Sequence, residues 1–218
     1  MRFDLRRIAP QPWKNGAGLT REIAVAHNAG SEFGFDWRLS VAEVTHDAPF
    51  SAFRGVDRCI VLLRGAGLRL RTPDTDIETA ATPEQDRTFE HRLDTPFAPF
   101  HFPGDVPLHA TLLGGPCSDL NVMVRRGAWR AELACHHAAV DVPAVPVLML
   151  LACAGSWRID ASRGSPALTL HADQGLLWRD GREYAESGAP APHLNARPLR
   201  ADGEARLLQV RLCHDPGS

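Results

Sequence analysis

CIVLLRGAGLRLRT, residues Cys59 to Thr72, decides the fold. It opens with an apolar run, Cys59 to Leu63. A small-residue turn follows, Arg64 to Gly67, and then Leu68 and Leu70 alternate with Arg69 and Arg71. A short apolar run bounded by glycine reads as a buried strand, and period-two alternation as a half-buried one. Together they predict a β-hairpin with a glycine turn. The same shape returns about 88 residues later as VLMLLACAGSWRIDA, Val147 to Ala161.

Working outward, the echo extends. FHFPGDVPLHATLL (Phe100 to Leu113) is paralleled by LTLHADQGLLWRDG (Leu168 to Gly181), and DLNVMVRRG (Asp119 to Gly127) by ARLLQVRLC (Ala205 to Cys213). FDWRLSVAEV alternates: Phe35, Trp37, Leu39 and Val41 share one face, and Asp36, Arg38, Ser40 and Ala42 the other. With 18 Gly and 17 Pro punctuating the chain, helical periodicity is hard to find. Repeated strand–turn–strand units predict an all-β chain of two similar barrels. The expected division is 1–127 and 128–218, with GAWRAELACHHAAVDVPAVP as the link. The polar stretch Pro73 to Pro99 breaks the pattern. It reads as an excursion holding a short helical turn or a polar edge strand.

Bulk composition narrows the function. In 218 residues, 23% are charged and 44% apolar, the profile of a soluble globular protein. A net charge of −2 gives no reason to expect nucleic acid or an anionic membrane as partner. MRFDLRRIAP has no apolar run behind it to make a secretion signal. The longest apolar run, Val147 to Ala154, is far below the roughly 20 residues of a membrane span. The five cysteines form no CxxC pair and read as reduced, buried residues of a cytoplasmic protein.

Candidate chemistry concentrates in the first half. In PWKNGAGLTREI, Lys14 is the only lysine among 24 Lys and Arg residues. Lys14 and Arg21 can donate to a carboxylate or phosphate, and Asn15-Gly16 lets the backbone turn sharply. From the residues alone, a plain hairpin turn with a salt-bridged strand is the slightly favoured reading. Arg38, Arg58 and Arg125 lie on three different strands. If they converge in one barrel, each needs an anion, because a buried arginine without one is costly. Asp36, Asp57 or Asp119 could serve, or a ligand carboxylate. Pro49-Phe50 and Phe53 read as an aromatic plug, and Ser40 and Ser51 as polar liners. No His-x-His followed by Glu exists, so no metal and no cofactor are expected. There is no nucleophile elbow or phosphate loop.

PWKNGAGLTREI, FDWRLSVAEV, DAPFSAFRGVDRCIVLLRGAGLRL, FPGDVPL and DLNVMVRRG, in that order, resemble the HutD/Ves family. The resemblance spans Pro12 to Gly127. It implies a two-cupin, jelly-roll fold and a link to bacterial histidine utilisation. It also implies a binding protein that takes a small anionic intermediate such as formylglutamate and modulates the pathway. Lys14, Asn15, Arg38 and Arg58 are then expected to line the first pocket, with Ser40 and Trp37 completing the ligand-binding set. In that reading Arg58 clamps one carboxylate and Lys14 folds over the mouth to hold the other. The alternative is a cupin hydrolase or isomerase with Arg58 as electrophile and His46 or His101 as base. Exposed cupin edge strands pair readily, so a homodimer is among the expected partners.

Overall fold

The computed structural model describes residues 1–73, 89–161, 167–179, 193–200 and 203–216. Among these there is no α-helix, only a 3-10 turn at Leu5–Arg7, and strands account for the rest of the regular structure. The chain divides into two compact units, Pro10–Arg126 and the combination of Met1–Ala9 with Gly127–Ser218. The expected grouping of residues 1–9 with the first barrel is corrected here. Strand β1 (Arg2–Asp4) pairs with the strand at Gln174–Arg179, setting Phe3 against Gly175.

In the first unit, β2 (Gln11–Pro12), β3 (Gly18–His27), β4 (Phe35–Val44), β5 (Ala48–Phe50), β6 (Val56–Arg64) and β7 (Leu68–Arg71) come in order. They are followed by β8 (Glu90–Leu93), β9 (Pro99–Pro103), β10 (Leu108–Leu112) and β11 (Cys117–Arg125). One sheet runs β2-β3-β4-β11-β6-β9 and a second β5-β10-β7-β8, all neighbours antiparallel. Ile60, Leu62 and Phe102 of the first sheet pack with Leu68, Leu70 and Leu108 of the second in one apolar cluster. Fully burying each such side chain contributes about 1.5–3 kcal/mol. The polar excursion falls largely on 74–88, outside the described residues. Its far end is β8, a polar strand on the edge of its sheet.

The opening stretch is two strands but not a hairpin. β6 pairs with β11 and β9, while β7 pairs with β10 and β8, so the glycine turn carries the chain from one sheet to the other. Gly65 and Gly67 sit at φ 90° and 94°, and a Cβ at Gly67 would lie 1.9 Å from the carbonyl oxygen of Leu93. Only glycine fits a corner this tight. The apolar run before it follows from burial of both faces. Ile60 and Leu62 point into the barrel, and Val61 on the other face is equally buried.

The second unit repeats the plan. It contains β12 (Trp129–His136), β13 (Val140–Val142), β14 (Val147–Ala154), β15 (Ser156–Ala161), β16 (Leu168–His171), β17 (Gln174–Arg179), β18 (Leu194–Pro198) and β19 (Arg206–His214). The sheets run β1-β17-β14-β19-β12 and β13-β18-β15-β16. β14 and β15 again lie in different sheets. Leu148, Leu150 and Leu207 pack with Trp157, Ile159 and Leu170 in its core.

Candidate ligand-binding site

Register places the functional side chains of the first barrel. Arg58 on β6 stands opposite Met123 on β11, which stands opposite Arg38 on β4. Two residues along, Ile60, Asn121, Ser40 and Glu22 form the next row; two further on, Leu62, Asp119 and Ala42 form another. Alternation turns all of these to one face, the face whose Ile60 and Leu62 enter the barrel core. The result is a polar lane inside an apolar barrel.

Arg58 is its centre. It is 4% exposed, with its guanidinium carbon 4.3 Å from the Phe50 ring centroid, 5.1 Å from Phe102 and 5.4 Å from Phe53. Rings at these distances stabilise a cation through their negative faces. The anticipated aromatic plug is thus the bed of this arginine. A Cβ at Gly104 would lie 2.7 Å from the Val56 carbonyl oxygen and 3.3 Å from Arg58 Cδ, so the glycine lets the loop close on the arginine stem. Nη1 donates to the Ser51 carbonyl at 3.0 Å, and Nε meets no acceptor among the described residues. Burial lowers the Arg58 pKa to about 10, with Arg38 pushing the same way and Asp119 opposing. The group is therefore cationic at neutral pH.

The other two arginines are neutralised within the chain. Arg38 Nε donates to Glu22 Oε2 at 2.8 Å, and Arg125 Nε to Asp36 Oδ1 at 2.8 Å. Asp57 takes Arg126 instead, at 2.7 Å. Asp119, a candidate neutralising partner, does not hydrogen-bond Arg58. It has no exposure, and neither carboxylate oxygen meets a donor among the described residues. Burial drives its pKa up to about 7 against the opposing pull of Arg58. Asn121 is 9% exposed, and its Oδ1 is likewise without a donor. The sequence carried a signal for this pair. In DLNVMV, Asp119 and Asn121 alternate with Leu120 and Val122 on a strand buried along nearly its whole length.

Of the expected set, the structure brings together Arg38, Arg58 and Ser40, the last 3% exposed. It does not bring in the other three. Trp37 lies on the opposite face of β4, 2% exposed, because it is one residue out of phase with Arg38. Lys14 and Asn15 are exposed on the turn between β2 and β3. There Asn15 Oδ1 accepts from Ala17 N at 3.1 Å, Trp13 N donates to Gly18 O at 2.9 Å, and Gly16 takes φ 70°. This turn sits beyond Gly18, which pairs with Val44. Arg38 is six residues further along β4, about 20 Å at strand rise. The Lys14 turn therefore lies toward the far end of β4 from the Arg58 row, and the pattern around it encodes a turn. The two histidines proposed as bases are displaced too. His101 pairs with Cys59 on the face opposite Arg58, and His46 N bonds Ala17 O at the Lys14 end. Among the described residues, no three His, Cys, Asp or Glu side chains are grouped to hold a metal ion.

The second barrel supplies an internal comparison. β6 and β14 each carry one extra residue against a neighbouring strand, Leu63 opposite the Ser118–Asp119 step of β11 and Cys153 between Ala152 and Ala154. Matching the bulges sets Leu62 on Ala152, Arg58 on Leu148, Asp119 on Leu207 and Asn121 on Gln209. Leu148 and Leu207 are core residues, 2% and 0% exposed. Gln209 Oε1 accepts from His136 Nε2 at 2.8 Å, and Glu132 pairs with Arg211. Among the described residues, the unsatisfied acceptors of the lane therefore have no counterpart at the matched positions of the second barrel.

Two antiparallel jelly-roll barrels in one chain, one with a buried arginine on an aromatic bed, define a bicupin. The chain belongs to the HutD family, matching it over residues 6–193. It is 34% identical over 181 residues to Protein Ves of Citrobacter koseri, covering 83% of each chain. Among solved structures it resembles a conserved Pseudomonas aeruginosa PAO1 protein of unknown function, with 28% identity, TM-score 0.75 and 98% of each chain covered. It also resembles HutD from Pseudomonas fluorescens SBW25 in a formate condition, with 22% identity, TM-score 0.72, and 99% and 98% of the two chains covered.

Proposed function

We propose that this bicupin is a cytoplasmic binding protein whose first barrel takes a small carboxylate on Arg58. A formylglutamate-like intermediate of histidine degradation is the candidate, and occupancy modulates that pathway, the role the family resemblance implies. One observation carries the reading. Arg58 is a charged, nearly fully buried guanidinium that hydrogen-bonds no carboxylate among the described residues, while its neighbours Arg38 and Arg125 are both paired. A cation kept from water in this way is stabilised by an anion that arrives from outside. The apolar bed strengthens that attraction by lowering the local dielectric.

The test is calorimetric titration of formate, glutarate and N-formyl-L-glutamate into wild type and Arg58→Gln. A charge-assisted hydrogen-bond pair is worth about 1.5–3 kcal/mol, so the variant should bind roughly 10- to 150-fold more weakly. Thermal unfolding gives a second readout, since ligand at 100 times its Kd adds about 2.7 kcal/mol. Equal affinity in both proteins, or no binding of any carboxylate to wild type, overturns the proposal.

A further inference from the structure

The internal repeat leaves one strand of the second barrel short of a neighbour. β12 stands where β4 stands in the first barrel, since Gln209 faces Ala134 as its counterpart Asn121 faces Ser40. β4 is paired on both sides, by β11 and by β3. Among the described residues, β12 pairs with β19 alone. Burial follows the difference. Most of β4 is buried, whereas no residue of β12 is, and Arg130 and Ala134 are exposed.

An open edge strand offers unpaired backbone N–H and C=O groups to another chain, and folds blunt such edges with short strands or proline. Among the described residues, the other sheet edges follow that rule. β1, β2, β5, β8, β13 and β16 have four residues or fewer, and β9 begins and ends in proline. β12 has eight residues and no proline. Its side chains also complement themselves. Arg130 and Glu132 lie on one face, with Arg130 Nη2 3.9 Å from Glu132 Oε1. In an antiparallel pair of β12 strands about a two-fold axis at Ala131, each Arg130 stands directly opposite the other copy's Glu132. The other face then sets Trp129 against Leu133. Directly opposite residues bring their Cβ atoms to about 4.5–5.5 Å, where opposite charges stabilise a sheet and like charges destabilise it. An axis at Glu132 would instead set two carboxylates against each other.

We propose that β12 is the dimerisation edge of this protein: two copies pair their β12 strands antiparallel about Ala131 and join their five-stranded sheets into one. The second copy takes the place that β3 fills beside β4. Such an interface uses the same patch on both copies and closes on itself, so it yields a dimer and not a filament. The inference is independent of the carboxylate reading of Arg58.

Sedimentation velocity over micromolar to submillimolar protein reads the association, and wild type is expected to dimerise. Arg130→Glu and Glu132→Arg each place like charges opposite one another on both sides of the axis, and each should raise the dimer Kd roughly tenfold or more. An equimolar mixture of the two variants brings opposite charges together again in a heterodimer and should recover association. Melting temperatures check that both variants fold. Hydrogen exchange on wild type needs no variant: amides of β12 should exchange more slowly at dimer-forming concentrations. A wild type that stays monomeric throughout overturns the proposal. So does a dimer whose Kd neither variant moves, or whose β12 amides gain no protection.

Discussion

Removing the charge of Asp119 should make the protein more stable, and more so as pH rises. The carboxyl titrates at 3.8 in an unfolded chain and at about 7 in the barrel, because burial disfavours the ionised form more than Arg58 favours it. Between those values the folded state holds a proton that the unfolded state has lost. Stability therefore falls as pH climbs from about 4 to about 7 and levels off above. At 1.36 kcal/mol for each pH unit between the two values, the full cost is about 4 kcal/mol. Of this, roughly 2–3 kcal/mol accrues between pH 5 and pH 8. Arg58, with its pKa near 10, stays charged throughout that window and adds no competing step. Asp119→Asn keeps the shape and cannot ionise. Urea denaturation of both proteins at pH 5 and pH 8, without ligand, reads the difference. The advantage of the variant should grow by about 2–3 kcal/mol across the window, or roughly 4–12 °C in Tm for a chain of this size. An advantage that stays constant, or that shrinks, would show that the folded protein holds Asp119 as an anion.

Arg58→Leu combined with Asp119→Leu copies Leu148 and Leu207 into the first barrel. Replacing buried charges with packed apolar groups is often stabilising by 1–4 kcal/mol, so thermal unfolding should show a raised Tm while titration shows no carboxylate binding. Lys14→Ala should leave Kd for any Arg58 ligand within about twofold, since its turn lies about 20 Å along the strand from the Arg38 row; a larger loss by calorimetry would mean the turn reaches the pocket. Gly67→Ala combines a φ of 94° with a Cβ 1.9 Å from a backbone oxygen and should cost more than about 2 kcal/mol in denaturation. Gly16→Ala, at φ 70° with open space around it, should cost about 1 kcal/mol.

Sequence alone reached the secondary structure class, the internal repeat and the arginine. Alternation in FDWRLSVAEV and the apolar run before RGAG are local properties, set by which faces a strand buries, and they are legible without knowing the neighbours. The lone arginine ahead of CIVLL was recognisable because a cation in a buried strand demands an explanation. What the sequence could not decide was which strand pairs with which. The hairpin expected at Gly65–Gly67 became a corner between sheets, because pairing depends on residues such as Leu93 and Cys117 that lie far along the chain. Pairing register then decided the site. It turned Trp37 away, left Lys14 at the far end, and aligned Asp119 and Asn121 with Arg58 on one interior face. It also exposed the contrast with Leu207 and with Leu148, the latter misaligned by two residues under the simple offset of about 88. Strand chemistry is written in neighbouring residues. A site inside a barrel is written in cross-strand rows, and those exist only once the barrel has closed.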